Sequence, residues 1–412
     1  MNNKPVKVPK KRYAAGIVLL LFFTVAVIIA AYFLAYKPSL DATMPFDAAP
    51  QGVTPQNGAE DDVRNAAQNA DAEKSDAPVI NDSGTPFEGV SYVRREGVYN
   101  FLVVGLDAEG GNHTDVIMLI SYDINDGSIA VMSIPRDTYI NVGRNFNKLN
   151  SFYTGEYNRL YGECQSEDER INQSMENLCD LIEVGFAVKI DYWAQMDLSG
   201  FRAIVDAIGG VDIDVPQDMD YEDPDQNLYI HLKAGEQTLT GAQAEQFVRF
   251  RSGYSTADKG RIEAQKIFVT AFLDTIKSRL TVDKVPAVVS NILACLKTSI
   301  SAADCGYFAK SALGVSLSDI TMITLPGEGA YNSSSGAWYE VIYRYSALDI
   351  INGYLNVYDH DITDELFDRY GYLNNYKASY ISEVYYKSDA EANIETADEI
   401  DQNSISIPVK NS

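Results

Sequence analysis

The sequence predicts an α/β protein, a layered α-β-α domain with a central mixed sheet, preceded by one N-terminal transmembrane helix. Helix-like and strand-like patterns alternate along residues 93–360, as they do in layered domains. A short Asn125-Asp-Gly127 turn separates two strand patterns and makes part of the sheet antiparallel. An apolar run, Ala14 to Ala35, supplies the transmembrane helix.

The N-terminus has the charge pattern of a signal anchor. Five basic residues and no acidic residue occupy the first 12 positions. The 22 uncharged residues that follow from Ala14 would make about 33 Å of helix, the hydrocarbon thickness of a bilayer. The positive-inside rule then places residues 1–13 in the cytoplasm, residues 14–36 in the cell membrane and the rest outside the cell. A cleavable signal peptide is the alternative, although its apolar region normally has about 7 to 15 residues.

Composition divides the remaining chain. Residues 37–92 have few large apolar side chains and predict a disordered acidic linker. Residues 93–360 predict an extracellular globular domain, and residues 361–412 a C-terminal extension with an acidic, disordered tail. The formal net charge of -25 excludes nucleic acid as a partner, because duplex binding needs a basic surface.

Hydrophobic periodicity predicts the elements of the domain. Short apolar or alternating runs, bounded by turn residues, predict strands over Asn100–Gly105, Asp115–Tyr122, Ser128–Ile134, Tyr192–Met196, Val211–Val215, Phe247–Phe250 and Ile320–Leu325. Apolar residues at spacings of three and four predict helices over Ser166–Glu183, Ser199–Ile208, Gly241–Gln246, Lys259–Leu280, Val285–Leu296 and Tyr307–Leu313.

Four cysteines lie beyond the apolar run: Cys164, Cys179, Cys295 and Cys305. An even number of cysteines in an exported chain permits disulfides, and the local pairs 164–179 and 295–305 are the simplest pairing. Four buried thiols are the alternative. The cysteines form no CxxC motif and the three histidines are scattered, so the sequence indicates no zinc site.

Two carboxylates are predicted at one edge of the sheet. Asp107 follows the first strand, and Asp115 begins the second across Gly110-Gly111. Two close carboxylates repel unless a cation joins them, and carboxylates together with substrate phosphates are a common magnesium site. The alternative is a turn aspartate and an aspartate that caps a strand.

Arginines are concentrated in one segment of this acidic chain. Arg249, Arg251 and Arg261 fall within 13 residues. Arg249 and Arg251 would share one face of the predicted strand, and Arg261 would share a helix face with Gln265. Asp258 would cap that helix or orient an arginine. Planar guanidinium groups match phosphate oxygens two at a time, so the segment predicts a diphosphate site.

Two further cations follow the third predicted strand. Arg136 stands directly after Pro135 and next to Asp137, and Lys148 lies in Asn147-Lys-Leu-Asn150. Taken singly, each of these cations is explained equally well by a surface salt bridge. Together with the arginine-rich segment they favour an anion site.

The order of several motifs resembles one family. The motifs are Phe101–Asp107, Thr114–Leu119, Ser133–Thr138, Lys148–Asn150, Ala207–Pro216, His231–Gly235, Val248–Arg251, Asp258–Arg261 and Leu325–Gly327. With them the chain resembles the LytR-CpsA-Psr family of cell-wall glycopolymer transferases over about Asn100 to Asp359. The resemblance implies transfer of a glycopolymer from an undecaprenyl-pyrophosphate carrier to peptidoglycan through a phosphodiester.

The resemblance also implies roles for individual residues. Asp107 and Asp115 would hold Mg²⁺, with Mn²⁺ as the alternative ion. The residues implied to bind the pyrophosphate are Arg136, Lys148, Arg249, Arg251, Asp258, Arg261 and Gln265. Those implied to be catalytic are Asp107, Asp115, Arg136, Arg249, Arg251 and Arg261. Asp107 and Asp258 are the candidates for a general base, and the nucleophile would be a sugar hydroxyl of peptidoglycan.

The prenyl chain of the carrier would lie in an apolar groove between sheet and helices. The groove is expected to draw on residues such as Ile117, Leu119, Phe201 and Phe268.

The chain departs from many relatives at two positions, where His113 and Ala264 stand in place of arginine. Two other functions remain open: a polyprenyl-pyrophosphate hydrolase, and a non-catalytic envelope regulator that binds the lipid carrier.

Overall fold

The computed structural model describes most of the chain from Tyr92 onwards. The described residues are 92–106, 114–143, 147–224, 228–250, 293–312, 315–375, 377–387 and 393–396, with separate positions between 267 and 279. The predicted cytoplasmic segment and transmembrane helix, and the predicted linker up to residue 91, lie outside them. Within the described part, no helix is both long enough and apolar enough to cross a membrane.

The described strands, in chain order, are β1 Val98–Leu106, β2 Thr114–Asp123, β3 Ser128–Ile134, β4 Tyr192–Met196, β5 Val211–Val215, β6 Met219–Asp223, β7 Leu228–Leu232, β8 Gly235–Leu239, β9 Lys297–Thr298, β10 Ile320–Thr324, β11 Gly327–Asn332, β12 Ala337–Ile342 and β13 Asn393–Thr396.

A central mixed sheet organises the described residues. Its strand order is β13-β10-β3-β2-β1-β4-β9. β1 pairs antiparallel with β2 and parallel with β4. β3 pairs antiparallel with β2 and parallel with β10.

Helices cover both faces of the sheet. The helices are α1 Phe152–Arg159, α2 Glu167–Phe186, α3 Leu198–Ala207, α4 Gly241–Arg249, α5 Ala302–Ala312, α6 Arg344–Ile350 and α7 Ser379–Tyr385. The described positions between 267 and 279 are helical as well. Three two-stranded ladders, β5-β8, β6-β7 and β11-β12, lie outside the central sheet. The predicted layered α-β-α architecture with a mixed sheet is confirmed.

The central strands divide their apolar side chains between two cores. Successive residues of a strand point to opposite faces, so β2 sends alternate residues to each side. The front core contains Val116 and Met118 together with Phe201 and Phe268. The rear core contains Ile117 and Leu119 together with residues of α2 and the C-terminal segment.

Close contact between α3 and α4 shapes the front side. A methyl group at Gly241 would overlap the backbone carbonyl of Arg202, so only glycine allows this approach. The Gly241 amide donates to Asp206 Oδ1 at 2.7 Å, and Thr240 caps the helix through Gln243 in a capping box. α4 therefore has a fixed start and a fixed position against α3.

The C-terminal segment belongs to the rear core. Ile362, Phe367, Tyr372 and Tyr385 are almost completely buried there. β13 also pairs with β10 at the edge of the sheet. The predicted division at residue 360 does not separate two cores, because residues 362–385 pack with the domain. The stretch from residue 397 lies outside the described residues.

Several predicted elements agree closely with the structure. β4 and β5 have the predicted bounds, since polar and turn residues flank both. α2 extends the predicted helix to Phe186 and begins at Ser166, whose side chain accepts from the Glu169 amide. Of the predicted helices over 259–280 and 285–296, only part is described.

Two expectations were wrong. The predicted strand Phe247–Phe250 is the last turn of α4 and its C-cap residue. Neither predicted disulfide forms: all four cysteines are free thiols. Cys179 and Cys305 are buried, whereas Cys164 and Cys295 are only partly buried, so the alternative of four buried thiols holds for two of them. Burial raises the pKa of Cys305 to about 12.

Candidate functional site

The edge of the sheet where β1 ends carries the predicted carboxylates. Leu106 pairs with Thr114, so the residues that directly precede Asp107 and Asp115 are neighbours. The register shifts there, because Gly105 pairs with Val116 and Asp115 is left without a partner position. Such bulges redirect a side chain and occur beside active sites. Asp107 and the side chain of Asp115 lie outside the described residues, so the metal site stays a prediction.

The loop after β3 joins Arg136 to this edge. The Asn150 amide donates to the Arg136 carbonyl at 2.9 Å. The Asn150 carbonyl in turn accepts from the Thr114 hydroxyl at 3.2 Å. Asn150 thus links the start of β2 to the residue after Pro135. These two hydrogen bonds connect the backbone after Pro135 to the start of β2, next to the position of Asp115.

Lys148 is fixed in the same loop. Its Nζ donates to Asp137 Oδ1 at 2.8 Å and lies 5.9 Å from the ring centre of Tyr339. Both side chains of the ion pair are largely buried. The backbone of Lys148 forms a bridge with Tyr139, and the β12 residue Glu340 bonds to the chain on both sides of Thr138. The β11-β12 ladder therefore supports the loop that carries both cations.

Arg249 lies at the end of α4, and the argument that placed it on a strand was wrong. The run Phe247-Val-Arg-Phe250 has strand-like composition, but the helix begun at Thr240 continues through it. Arg249 is in the last helical turn, where a cation is favoured by the helix dipole. The capping box Thr240-x-x-Gln243 was the sequence signal for a longer helix.

The guanidinium of Arg249 is buried and only partly satisfied. Its side chain is 8% exposed. Nη1 donates to Glu245 Oε1 at 2.8 Å, and the buried Nε has no hydrogen-bond partner in the described part of the chain. Val248 and Phe250 on either side pack in the front core with Val116 of β2. A buried donor without a partner is uncommon and calls for a ligand, a water or an ion.

Glu245 was not assigned by sequence reasoning. Its second oxygen accepts from Arg202 Nη1 of α3 at 2.5 Å, so one carboxylate bridges two arginines. The spacing of four between Glu245 and Arg249 on a helix was the available signal.

The remaining predicted site residues lie outside the described residues. They are Arg251, Asp258, Arg261 and Gln265, together with the departures His113 and Ala264. The described part holds no group of three or more His, Cys, Asp and Glu side chains that would bind a metal ion. The two predicted general bases, Asp107 and Asp258, are also outside it.

The predicted groove for a prenyl chain combined residues that the sheet separates. Ile117 and Leu119 face the rear core, whereas Phe201 and Phe268 face the front core. An apolar groove between the sheet and the helix that contains Phe268 would instead use Val116 and Met118 from β2. The sequence showed that successive side chains of β2 point to opposite faces of the sheet. It did not show which helices cover each face.

The clearest carboxylate pKa shifts lie on the rear side. Burial raises the pKa of Asp368 to about 7, although hydrogen bonds from Tyr385 and Leu373 oppose the rise. Burial also raises the pKa of Glu183 to about 7, and Lys189 opposes it. Asp368 belongs to a hydrogen-bonded cluster with Tyr385 and Arg344. This cluster is part of the rear core rather than of the candidate site.

Comparisons with known proteins identify relatives. The chain is 23% identical over 227 residues to the polyisoprenyl-teichoic acid–peptidoglycan teichoic acid transferase TagV of Bacillus subtilis, which covers 55% of each protein. The match thus spans about half the length of TagV. This chain is also 28% identical over 247 residues to the regulatory protein MsrR of Staphylococcus aureus, and that match covers 58% of this chain and 68% of MsrR.

A solved structure and a family model extend the comparison. The crystal structure of protein gbs0355 from Streptococcus agalactiae shares the fold, with a TM-score of 0.50 and 18% identity over 62% of this chain and 86% of that one. The family model described as the LytR_cpsA_psr family matches residues 56–352, which contain the bulged edge of the sheet, the Arg136 loop and α4. The chain belongs to the LytR_cpsA_psr family.

Proposed function

We propose that the protein is a membrane-anchored phosphotransferase that moves a glycopolymer from an undecaprenyl-pyrophosphate carrier to peptidoglycan. Membership of the LytR_cpsA_psr family and the transferase name of TagV support glycopolymer transfer. The observation that carries the chemistry is Arg249, a buried guanidinium whose Nε has no hydrogen-bond partner among the described residues. Such a group has a free position for an anionic oxygen, as a pyrophosphate site requires.

In the proposed reaction, a sugar hydroxyl of peptidoglycan attacks the phosphorus that carries the polymer. A P–O bond of the pyrophosphate breaks, undecaprenyl phosphate leaves, and the hydroxyl proton passes to a base. Phosphoryl transfer of this kind depends on positioning and charge neutralisation more than on covalent catalysis. Arg136, Lys148 and Arg249 would bind the pyrophosphate oxygens and stabilise the charge that builds on the leaving phosphate.

Magnesium is part of the proposal. Asp107 and Asp115 would hold the ion, and the bulge at Asp115 beside Leu106 fits a pair of carboxylates at one edge. When bound, the ion would neutralise charge on the pyrophosphate. Arg251, Arg261, Asp258 and Gln265 are proposed to complete the pocket.

The membrane anchor follows from the charge pattern of the N-terminus. The uncharged run Ala14–Ala35 after five basic residues supports a single span with the catalytic domain outside the cell. Protease added to intact protoplasts would cleave the domain if this orientation is right. Protection of the domain until the cells are lysed would contradict it.

The test of function combines the full chain with a lipid-linked polymer and peptidoglycan. Polymer attached to peptidoglycan, with release of lipid phosphate that depends on added Mg²⁺, is the expected result. Release without any acceptor would indicate a hydrolase. Arg249→Ala combined with Arg251→Ala should abolish transfer, and unchanged attachment of wall polymer in cells would exclude the catalytic role.

A second candidate function has one observation in its favour. The relative MsrR is named a regulatory protein. A regulator that binds the lipid carrier would bind a polyprenyl pyrophosphate but would form no new phosphodiester. It would also tolerate Asp107→Asn, which should inactivate a transferase that needs the metal.

A further inference from the structure

Arg202, Glu245 and Arg249 form an ion-paired set between α3 and α4, here called the α3–α4 triad. Glu245 Oε1 accepts from Arg249 Nη1 at 2.8 Å, and Oε2 accepts from Arg202 Nη1 at 2.5 Å. The Glu245 and Arg249 side chains are 11% and 8% exposed, whereas that of Arg202 is 43% exposed. The triad therefore extends from the surface of α3 to a buried guanidinium.

The triad leaves the Nε of Arg249 without a hydrogen-bond partner in the described part of the chain. A guanidinium has five N–H donors, and burial normally requires that they be used. Glu245 bonds Nη1, while the buried Nε has no partner in the described part of the chain. The edge formed by Nε and Nη2 can bind two oxygens of a phosphate side by side. Glu245 thus bonds the nitrogen outside that edge.

The Glu245 carboxylate does not cancel the positive charge of the α3–α4 triad. Two arginines share one carboxylate, so the triad keeps a net positive charge. The short distance between α3 and α4 at Gly241 fixes Arg202 opposite Glu245. A guanidinium held in one orientation before the substrate arrives loses less conformational freedom on binding.

We propose that Glu245 is a positioning residue for Arg249, which it holds so that the Nε–Nη2 edge binds the pyrophosphate of the lipid-linked substrate. The proposal rests on the proposed function. Its rival is an ordinary helical ion pair at i,i+4 that contributes only to stability. The positioning role and the purely stabilising role predict different effects on transfer when residues 245 and 249 are changed together.

The experiment measures kcat and KM for polymer transfer by the full chain and its variants. Glu245→Gln should lower kcat/KM roughly 10- to 100-fold, because a small misplacement of a positioning group has an effect of that size. In the Arg249→Ala background the same change should lower it less than about twofold further. Equal effects in both backgrounds, or no effect in the wild-type background, would overturn the proposal.

A matched control is the ion pair between Arg159, the last residue of α1, and Glu163 in the segment that follows. It has the same spacing of four, with side chains 61% and 40% exposed, and lies on the rear side with α1 and α2. Glu163→Gln should leave transfer unchanged. Arg202→Gln keeps the bond between Glu245 and Arg249 and should retain most activity; a loss as large as that of Glu245→Gln would indicate a structural network instead.

Thermal melting of each variant shows whether a loss of transfer comes from misfolding or from a misplaced Arg249 side chain in a folded protein. If Glu245→Gln does not fold, Glu245→Asp takes its place, since it keeps the charge but shortens the reach to Nη1. It should cause a smaller loss that again disappears in the Arg249→Ala background. An undiminished loss there would contradict the proposal.

Calorimetric binding of farnesyl pyrophosphate distinguishes failure of this proposal from failure of the proposed function. If the wild type transfers no polymer but binds this probe, and Glu245→Gln and Arg249→Ala weaken binding without adding to each other, the positioning role stands and the transferase does not. If the wild type transfers polymer and Glu245→Gln transfers it at the wild-type rate, the transferase function stands and the positioning role does not. If the wild type neither transfers polymer nor binds the probe, both are overturned.

Discussion

Two buried arginines, Arg249 in α4 and Arg344 in α6, have opposite surroundings. Arg344 donates from Nε to Asp364 Oδ1 at 2.7 Å, from Nη1 to the Tyr385 hydroxyl at 2.7 Å, and from Nη2 to the Asp364 carbonyl. Within the described residues Arg249 donates to Glu245, and its buried Nε has no hydrogen-bond partner there. The two side chains are equally buried, at 8% exposure each.

The difference separates a structural role from a binding role. All three nitrogens of Arg344 are bonded to protein groups, so the residue joins α6 to the C-terminal segment. The buried Nε of Arg249 has no partner in the described residues, and an unsatisfied buried donor lowers stability unless something binds there. The partly satisfied arginine is therefore the one expected to contact substrate. Three predictions test this contrast, beginning with the largest effect.

Arg344→Met should lower the free energy of unfolding by about 3 kcal/mol. The change leaves the buried Tyr385 and Asp368 without their cation. This value is at the lower end of the loss in unfolding free energy expected when a buried ion pair is broken, because the Asp364 side chain is 52% exposed. Urea unfolding followed by circular dichroism measures it. A loss below about 0.5 kcal/mol, typical of a surface change, would contradict the structural role.

Arg249→Met should change the free energy of unfolding by less than about 1 kcal/mol, because Glu245 keeps its bond to Arg202. Transfer should nevertheless fall roughly 100- to 1,000-fold, the effect of removing one donor to developing charge. Parallel urea and transfer assays give both numbers. If Arg249→Met destabilised the fold as much as Arg344→Met, the contrast between the two arginines would be lost.

The pH dependence of stability should come from the rear core. The pKa of Asp368 is raised from an ordinary value of 3.8 to about 7 by burial. Between about pH 4 and 7 the folded state therefore binds a proton that the unfolded state has released, so stability falls as pH rises through this window.

Asp368→Asn should reduce this decline, because the amide has no charge to bury. Asparagine also tolerates the left-handed backbone of this position, where φ is 49°. Glu183, whose pKa is likewise raised to about 7, keeps its own contribution, so the decline should lessen but not vanish. Urea midpoints at pH 4.5 and 7.5 test this, and an unchanged difference would refute the assignment to Asp368.

Local patterns predicted most elements where neighbouring residues decide the structure. β4 and β5 have the predicted bounds because their alternation ends at turn residues and at Pro216. The pattern was misleading at Phe247–Phe250, where the apolar run resembles a strand. There a capping box seven residues earlier and the contact with α3 keep the chain helical.

The site was predicted in part for the same reason. Arg136, Lys148 and Arg249 were visible as cations at the ends of elements, and Asn150 does join the Arg136 loop to the start of β2. Their carboxylate partners were not assigned. Asp137 and Glu245 become distinctive only when a side chain 11 residues away or a residue of another helix is brought to them.

The sequence by itself determined the α/β class, the family and the cations of the candidate site, because periodicity, motif order and residue type are local properties of a chain. Only the tertiary structure decided which face of β2 meets which helices, that the four cysteines stay unpaired, and that residues 362–385 complete the rear core. It also decided the difference between Arg249 and Arg344, because hydrogen-bond satisfaction depends on groups that are distant in sequence and become neighbours only when the helices pack.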